Sequence, residues 1–113
     1  MITNYESFCA ICNARAEHRH HLVFGRGIRE LAETDDLTIP LCELCHRKIH
    51  EGECAKSGNR EKDKYNRYAV MSKIIGQLAW EKHYIMERRG LPFDTIEEEA
   101  REAFRNRYRK SYL

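Results

Sequence analysis

Hydrophobic positions change their period several times along the chain, and each change marks an element. Residues 16–24, AEHRHHLVF, mix β-favouring residues with imidazoles. This predicts a strand with His21 and Val23 on one face and His20, Leu22 and Phe24 on the other. Gly25 and Gly27 end it, because either can take backbone angles closed to other residues. Ile28, Leu31 and Ala32 are then spaced for one short helix. Leu37, Ile39 and Leu41 alternate as a second brief strand, which Pro40 confines to a sheet edge. A helix follows Cys45 to about Glu51, with Gly52 as its stop. Residues 53–60 are polar, contain Gly58 and read as a loop. The longest helix follows, from about Arg60 to Arg89. Tyr65, Tyr68, Met71, Ile75, Leu78, Trp80 or Lys82, and Ile85 form its apolar stripe, widened by Ile74, Ala79 and Met86 and read as core or as a dimer seam. Gly76 inside this helix costs about 1 kcal/mol and predicts a close helix crossing. Gly90 and Pro92 punctuate the chain again. Asp94 or Thr95, the latter paired with Glu98, caps a last helix running to about Lys110, with Ile96, Ala100, Ala103, Phe104 and Tyr108 on its apolar face. The pattern predicts an α+β fold. Residues 1–55 form a small finger of two strands and a helix, and residues 56–113 a helical extension that packs on the finger or pairs two copies into a homodimer.

Composition narrows the class. A chain of 113 residues supports a single modest core. Charged residues are 34% of it and the mean hydropathy is −0.75. No apolar run approaches the length needed to span a bilayer, and MITNYESFCA has no leader pattern, so the expectation is a cytoplasmic protein without membrane contact. The net charge of +2 does not by itself announce nucleic acid. Its distribution is more informative. Arg15, Arg19, Arg26 and Arg29 surround a histidine pair, Arg47 and Lys48 lie between two more histidines, and the acids gather at residues 30–36 and 94–102. A locally basic site on a near-neutral body suits a phosphate substrate.

The densest chemistry lies in residues 41–50, LCELCHRKIH. Cys42 and Cys45 have the spacing of half a tetrahedral thiolate site, and Cys9 with Cys12 supplies the other half. Paired CxxC motifs beside histidines point to metal rather than disulfides, so these four residues are expected to hold a structural Zn²⁺. Cys54 is read as a spare thiol or a small packing residue. His46 and His50 stack on one helix face, where His20 can join them around a cation from the facing strand. Strand alternation aims His21 the other way and leaves it free to act on water. The same spacing is also compatible with a second structural zinc site or with surface histidines. His18 is read as facing solvent, with a phosphate contact at the basic rim as the alternative, and His83 as a helix-surface or semi-buried residue.

In the order of its motifs, CxxC, then HHLVFG, then LTIPLCELCHRKIH, the chain resembles the HNH endonucleases of the ββα-metal, or His-Me finger, superfamily, particularly small phage-encoded ones. The resemblance covers residues 9–50 and continues more weakly into the tail and its closing YRKSYL. It implies a ββα-metal finger stapled by the four cysteines and a metal-dependent hydrolysis of DNA phosphodiester bonds, in a bacterial or phage-infected cell. His21 maps to the general base, while His20, His46 and, as in colicin-like members, His50 map to ligands of the catalytic metal. The implied products carry 5′-phosphate and 3′-hydroxyl ends. Mg²⁺ is the usual family ion, whereas an imidazole shell favours Zn²⁺, Ni²⁺ or Mn²⁺. Arg19, Arg47 and Lys48 are the candidate phosphate contacts, which favours weak sequence specificity and strong salt dependence. No asparagine lies between His21 and His46, where the family orients its base, and Asp35 or Asp36 is the expected substitute. The alternative is a catalytically inactive zinc module that binds nucleic acid or a host or phage protein.

Overall fold

The computed structural model describes residues 1–53, 60–88 and 93–113, and their side chains except those of 52–53, 60–65 and 93–96. The order is β1 (His18–His21), α1 (Arg29–Thr34), β2 (Thr38–Leu41), α2 (Glu43–Glu53), α3 (Arg60–Glu87) and α4 (Phe93–Tyr108). This is an α+β fold, as the hydrophobic pattern predicts. β1 and β2 pair antiparallel, with His18 opposite Leu41 and His21 opposite Thr38. None of the described helices is long and apolar enough to cross a membrane. Cys54 and the residues 90–92 read as punctuation lie outside the described residues, as do the side chains of Asp94 and Thr95 read as caps.

Three elements differ from the pattern. β1 stops at His21, because Leu22, Val23 and Phe24 are all buried and an alternating strand would have turned one of them outward. The Leu22 amide still donates to the Leu37 carbonyl at 2.9 Å, so the chain stays beside β2 while its side chains leave the pleat. α2 begins at Glu43, which puts Cys45 inside the first turn, and it continues past Gly52 to Glu53.

The third difference is in α3. Part of its predicted stripe faces solvent, with Met71, Leu78 and Met86 each about half exposed, while Tyr68, Ala79 and Trp80 are half-buried against the core. The buried face carries Ala69, Ser72, Gly76, Gln77 and Glu81 instead. Small residues win there because the backbone comes close to the segment after β1. A Cβ on Gly76 would stand 2.6 Å from Val23 Cγ2 and 3.0 Å from Leu22 Cβ. The close approach read from Gly76 is therefore present, but against Leu22 and Val23 rather than another helix. The buried polar groups are tolerated because they are paired. Gln77 Oε1 accepts from the Tyr112 amide at 2.6 Å, Gln77 Nε2 donates to Ser111 Oγ at 3.0 Å, and Arg101 donates to Glu81 at 3.2 Å.

Gly76→Ala is accordingly expected to destabilise the protein by about 1–3 kcal/mol, since overpacking against Val23 outweighs the roughly 1 kcal/mol gained in helix propensity. A lowered urea midpoint at unchanged slope is the measurement that checks it.

Two apolar clusters hold the elements together, and both cross the boundary near residue 55. One joins Leu41, Cys42, Cys45 and Ile49 of the finger to Ala69 of α3. The other joins Leu22, Val23, Ala32 and Leu37 to Phe104 and Tyr108 of α4, whose rings stack with centroids 4.5 Å apart. A polar clamp reinforces the second: Arg107 donates twice to Asp35 at 2.7 Å and the Tyr108 hydroxyl donates to it at 2.5 Å. The helical extension thus packs on the finger.

Candidate metal centres and the histidine cavity

The first knuckle is a tight turn between residues 8 and 15, which form an isolated bridge. The Asn13 amide donates to the Cys9 carbonyl at 3.0 Å, and Asn13 itself takes a φ of 63°, a left-handed conformation that asparagine tolerates better than most. Hydrogen bonds from Ala10 to Pro40 (2.9 Å) and from Glu17 to Leu41 (3.0 Å) fasten the turn to β2. The second knuckle is the entry into α2, where the Cys45 amide points at Cys42 Sγ, 3.4 Å away. The sulfurs of Cys9, Cys12, Cys42 and Cys45 consequently lie within 4.8 Å of one another, with Cys12 and Cys42 at 3.6 Å. Sulfurs bound at about 2.3 Å around one tetrahedral ion stand about 3.8 Å apart, so this group can hold a structural metal ion and is consistent with a zinc site. Burial works against a Cys9 thiolate, but the backbone amides of Cys12, Cys42 and Ile11 together outweigh it and bring its pKa down to about 7. Burial and the neighbouring thiols push Cys45 upward.

The second group consists of His20, His46 and His50, whose donor atoms also lie within 4.8 Å of one another. β1 contributes His20 from its buried face, and α2 contributes the other two, one turn apart. His46 Nε2 and His50 Nε2 are 3.2 Å apart, close to the roughly 3.3 Å separating two imidazole nitrogens on one tetrahedral ion. His20 is fully buried and its Nδ1 has no hydrogen-bond partner. An orphaned polar atom of that kind costs about 1–3 kcal/mol unless something accepts its lone pair, and a cation between the three rings does so. Burial, and then the proximity of His46 and His50, lowers the His20 pKa to about 3. Burial together with His50 and His18 lowers His46 to about 4. Both rings are therefore neutral at physiological pH, the form in which imidazole binds metal.

His21 points the other way along the strand, and its Nε2 lies 2.6 Å from Glu33 Oε2. Glu33, on α1, is thus the carboxylate beside His21. The expected substitutes are occupied elsewhere: Asp35 by Arg107 and Tyr108, and Asp36 by the N-terminal ammonium of Met1 and by Arg19 at 3.6 Å. Glu33 carries no signal of this role in the sequence, because only the folding of α1 back against β1 brings residues 12 apart together. His18 is exposed, as read, and its Nδ1 stands 2.9 Å from His46 Nδ1. His83 is indeed exposed, 2.9 Å from Glu87.

A cavity of about 340 Å³ opens beside these rings, lined by His18, Arg19, His21, Phe24, Arg29, His46 and His50. Arg19 reaches it while held 3.4 Å from Glu33. Arg47 and Lys48 do not line it, because each helical residue is rotated about 100° from the last and the row facing the cavity is His46–His50. Arg29, not singled out among the phosphate contacts, takes their place.

No curated protein and no solved structure matches the chain. A family model described as "Protein of unknown function (DUF968)" matches residues 5–76, which include both candidate metal groups, Glu33 and the first half of α3. That stretch is more than half of the 113 residues, and the chain belongs to this DUF968 family of proteins of unknown function.

Proposed function

We propose that this protein is a metal-dependent endonuclease of the HNH type that hydrolyses DNA phosphodiester bonds. The observation that carries the reading is the convergence of His20, His46 and His50 beside a separate, carboxylate-paired His21. The resemblance over residues 9–50 assigns these same residues to the same roles. A divalent cation held by the three histidines supplies charge compensation for the phosphate and for the leaving 3′ oxygen, and the imidazole donors favour Zn²⁺, Ni²⁺ or Mn²⁺ over Mg²⁺. The four cysteines hold a separate structural Zn²⁺.

The remaining work belongs to side chains around the cavity. With its Nε2 proton donated to Glu33, His21 presents Nδ1 as the acceptor for a proton from water. The Glu33 carboxylate then stabilises the imidazolium that forms. Glu33 fills the orienting role of the absent asparagine, and Glu33→Gln is expected to slow cleavage roughly 10–100-fold without loss of bound metal. Arg19 and Arg29 supply positive charge and donors for backbone phosphates, with His18 beside them in the cavity wall.

Plasmid nicking measured with Mg²⁺, Mn²⁺ and Ni²⁺, beside His21→Ala, tests the proposal. Cleavage that depends on metal and is lost in the variant supports it. No cleavage under any metal, or equal cleavage by the variant, leaves the inactive zinc module that binds nucleic acid or a protein partner.

A further inference from the structure

Ser72 lies on α3, outside the finger, and is buried. Its Oγ is 2.7 Å from the Leu22 carbonyl and 2.9 Å from His20 Nε2. These two contacts determine where the protons are. A carbonyl oxygen only accepts, so the single hydroxyl proton of Ser72 is committed to Leu22. Ser72 Oγ can then face His20 only as an acceptor, so Nε2 carries the N–H. A neutral imidazole has one N–H, and Nδ1 is left with its lone pair. That Nδ1 is buried without a hydrogen-bond partner, and His20 stands with His46 and His50 in the group able to hold a cation.

We infer that Ser72 is a positioning residue for metal binding, which locks His20 in the Nε2–H tautomer so that Nδ1 is the ligand atom. This rests on reading His20, His46 and His50 as a cation site. Unlike His46 and His50, which approach from α2, His20 owes its usable lone pair to a different helix. The Leu22 carbonyl is the anchor that makes the serine hydroxyl a one-way acceptor, and the close seat of α3 at Gly76 brings the hydroxyl within reach. The α3 helix therefore sets the affinity of the cation site as well as covering the finger.

The test uses the full chain with its cysteine site filled with zinc. In the metal-free histidine site, long-range ¹H–¹⁵N spectra of the imidazoles report the tautomer directly. Wild-type His20 is expected as Nε2–H, and Ser72→Ala as a mixture or as Nδ1–H. Titration with Co²⁺, followed by its visible absorption, is expected to show affinity reduced roughly 10–100-fold in Ser72→Ala and largely restored in Ser72→Thr. Arg101→Ala, which strands the buried Glu81 nine residues along α3 from Ser72, controls for general destabilisation and is expected to change neither the tautomer nor Co²⁺ binding. A Ser72→Ala variant that keeps the Nε2–H form and wild-type Co²⁺ affinity overturns the role of Ser72 alone. A wild-type protein that takes up no Co²⁺ at the histidines overturns both this inference and the cation site beneath it. Normal Co²⁺ binding without nuclease activity removes only the proposed reaction.

Discussion

Plasmid nicking by His21→Ala is expected to fall about 10²–10⁴-fold below wild type, the range that a positioned general base contributes. The reason for so local an effect lies in the strand. His20 and His21 are adjacent, but the pleat sends His20 into the core toward His46 and His50, while His21 emerges at the cavity beside Glu33. Removing the second ring should therefore leave the cation, the cysteine site and the fold in place. Three measurements separate this outcome from general damage. Metal content and thermal midpoint should match wild type, and added imidazole should recover part of the lost rate by occupying the vacated space next to Glu33. His20→Ala should behave differently, losing Co²⁺ as well as activity, because that ring supplies a ligand. If His21→Ala cuts at the wild-type rate, His21 is not the base and the proposed chemistry fails.

Removing the cysteine-bound metal should have the largest effect on stability. A structural zinc contributes roughly 10–16 kcal/mol in finger peptides, as much as the whole stability of an ordinary domain, roughly 5–15 kcal/mol. The local architecture makes the dependence acute. The first knuckle reaches β2 through backbone hydrogen bonds such as Ala10 to Pro40, but meets the start of α2 through its sulfurs. Stripped of metal, Cys9, Cys42 and Cys45 become buried thiols in the cluster that also holds Leu41 and Ile49. Cys42→Ser is expected to lose one zinc and, with it, cooperative unfolding near room temperature. Far-ultraviolet circular dichroism reports the finger, and the fluorescence of Trp80, which packs on the second cluster against Phe104, reports whether α3 and α4 follow. An unchanged melting midpoint after exhaustive chelation would show that the four thiols are merely neighbours.

The two candidate metal groups were legible in the order of residues because metal chemistry favours short spacings: two residues between thiols on one turn, and one helical turn between His46 and His50. The antiparallel strands and the apolar face of α4 were equally legible, since Ala100, Phe104 and Tyr108 recur at helical spacing and all three are buried. Local repetition said less about α3. Met71, Leu78 and Met86 are turned to solvent, and the buried positions include Ala69, Ser72, Gly76 and Gln77. How closely two backbones can approach depends on what stands opposite. Leu22 and Val23 stand more than fifty residues away from Gly76 in sequence, so no period in the chain encodes the match. Glu33 beside His21, Ser72 beneath His20 and His18 against His46 are further cases of this kind. Each is a polar residue whose partner is distant in the chain, and a hydrogen bond leaves no periodic trace in the residues around it. Spacing along the chain paired the cysteines and the helical histidines, whereas the packing of α1 and α3 around β1 decided which imidazole nitrogens meet Glu33 and Ser72.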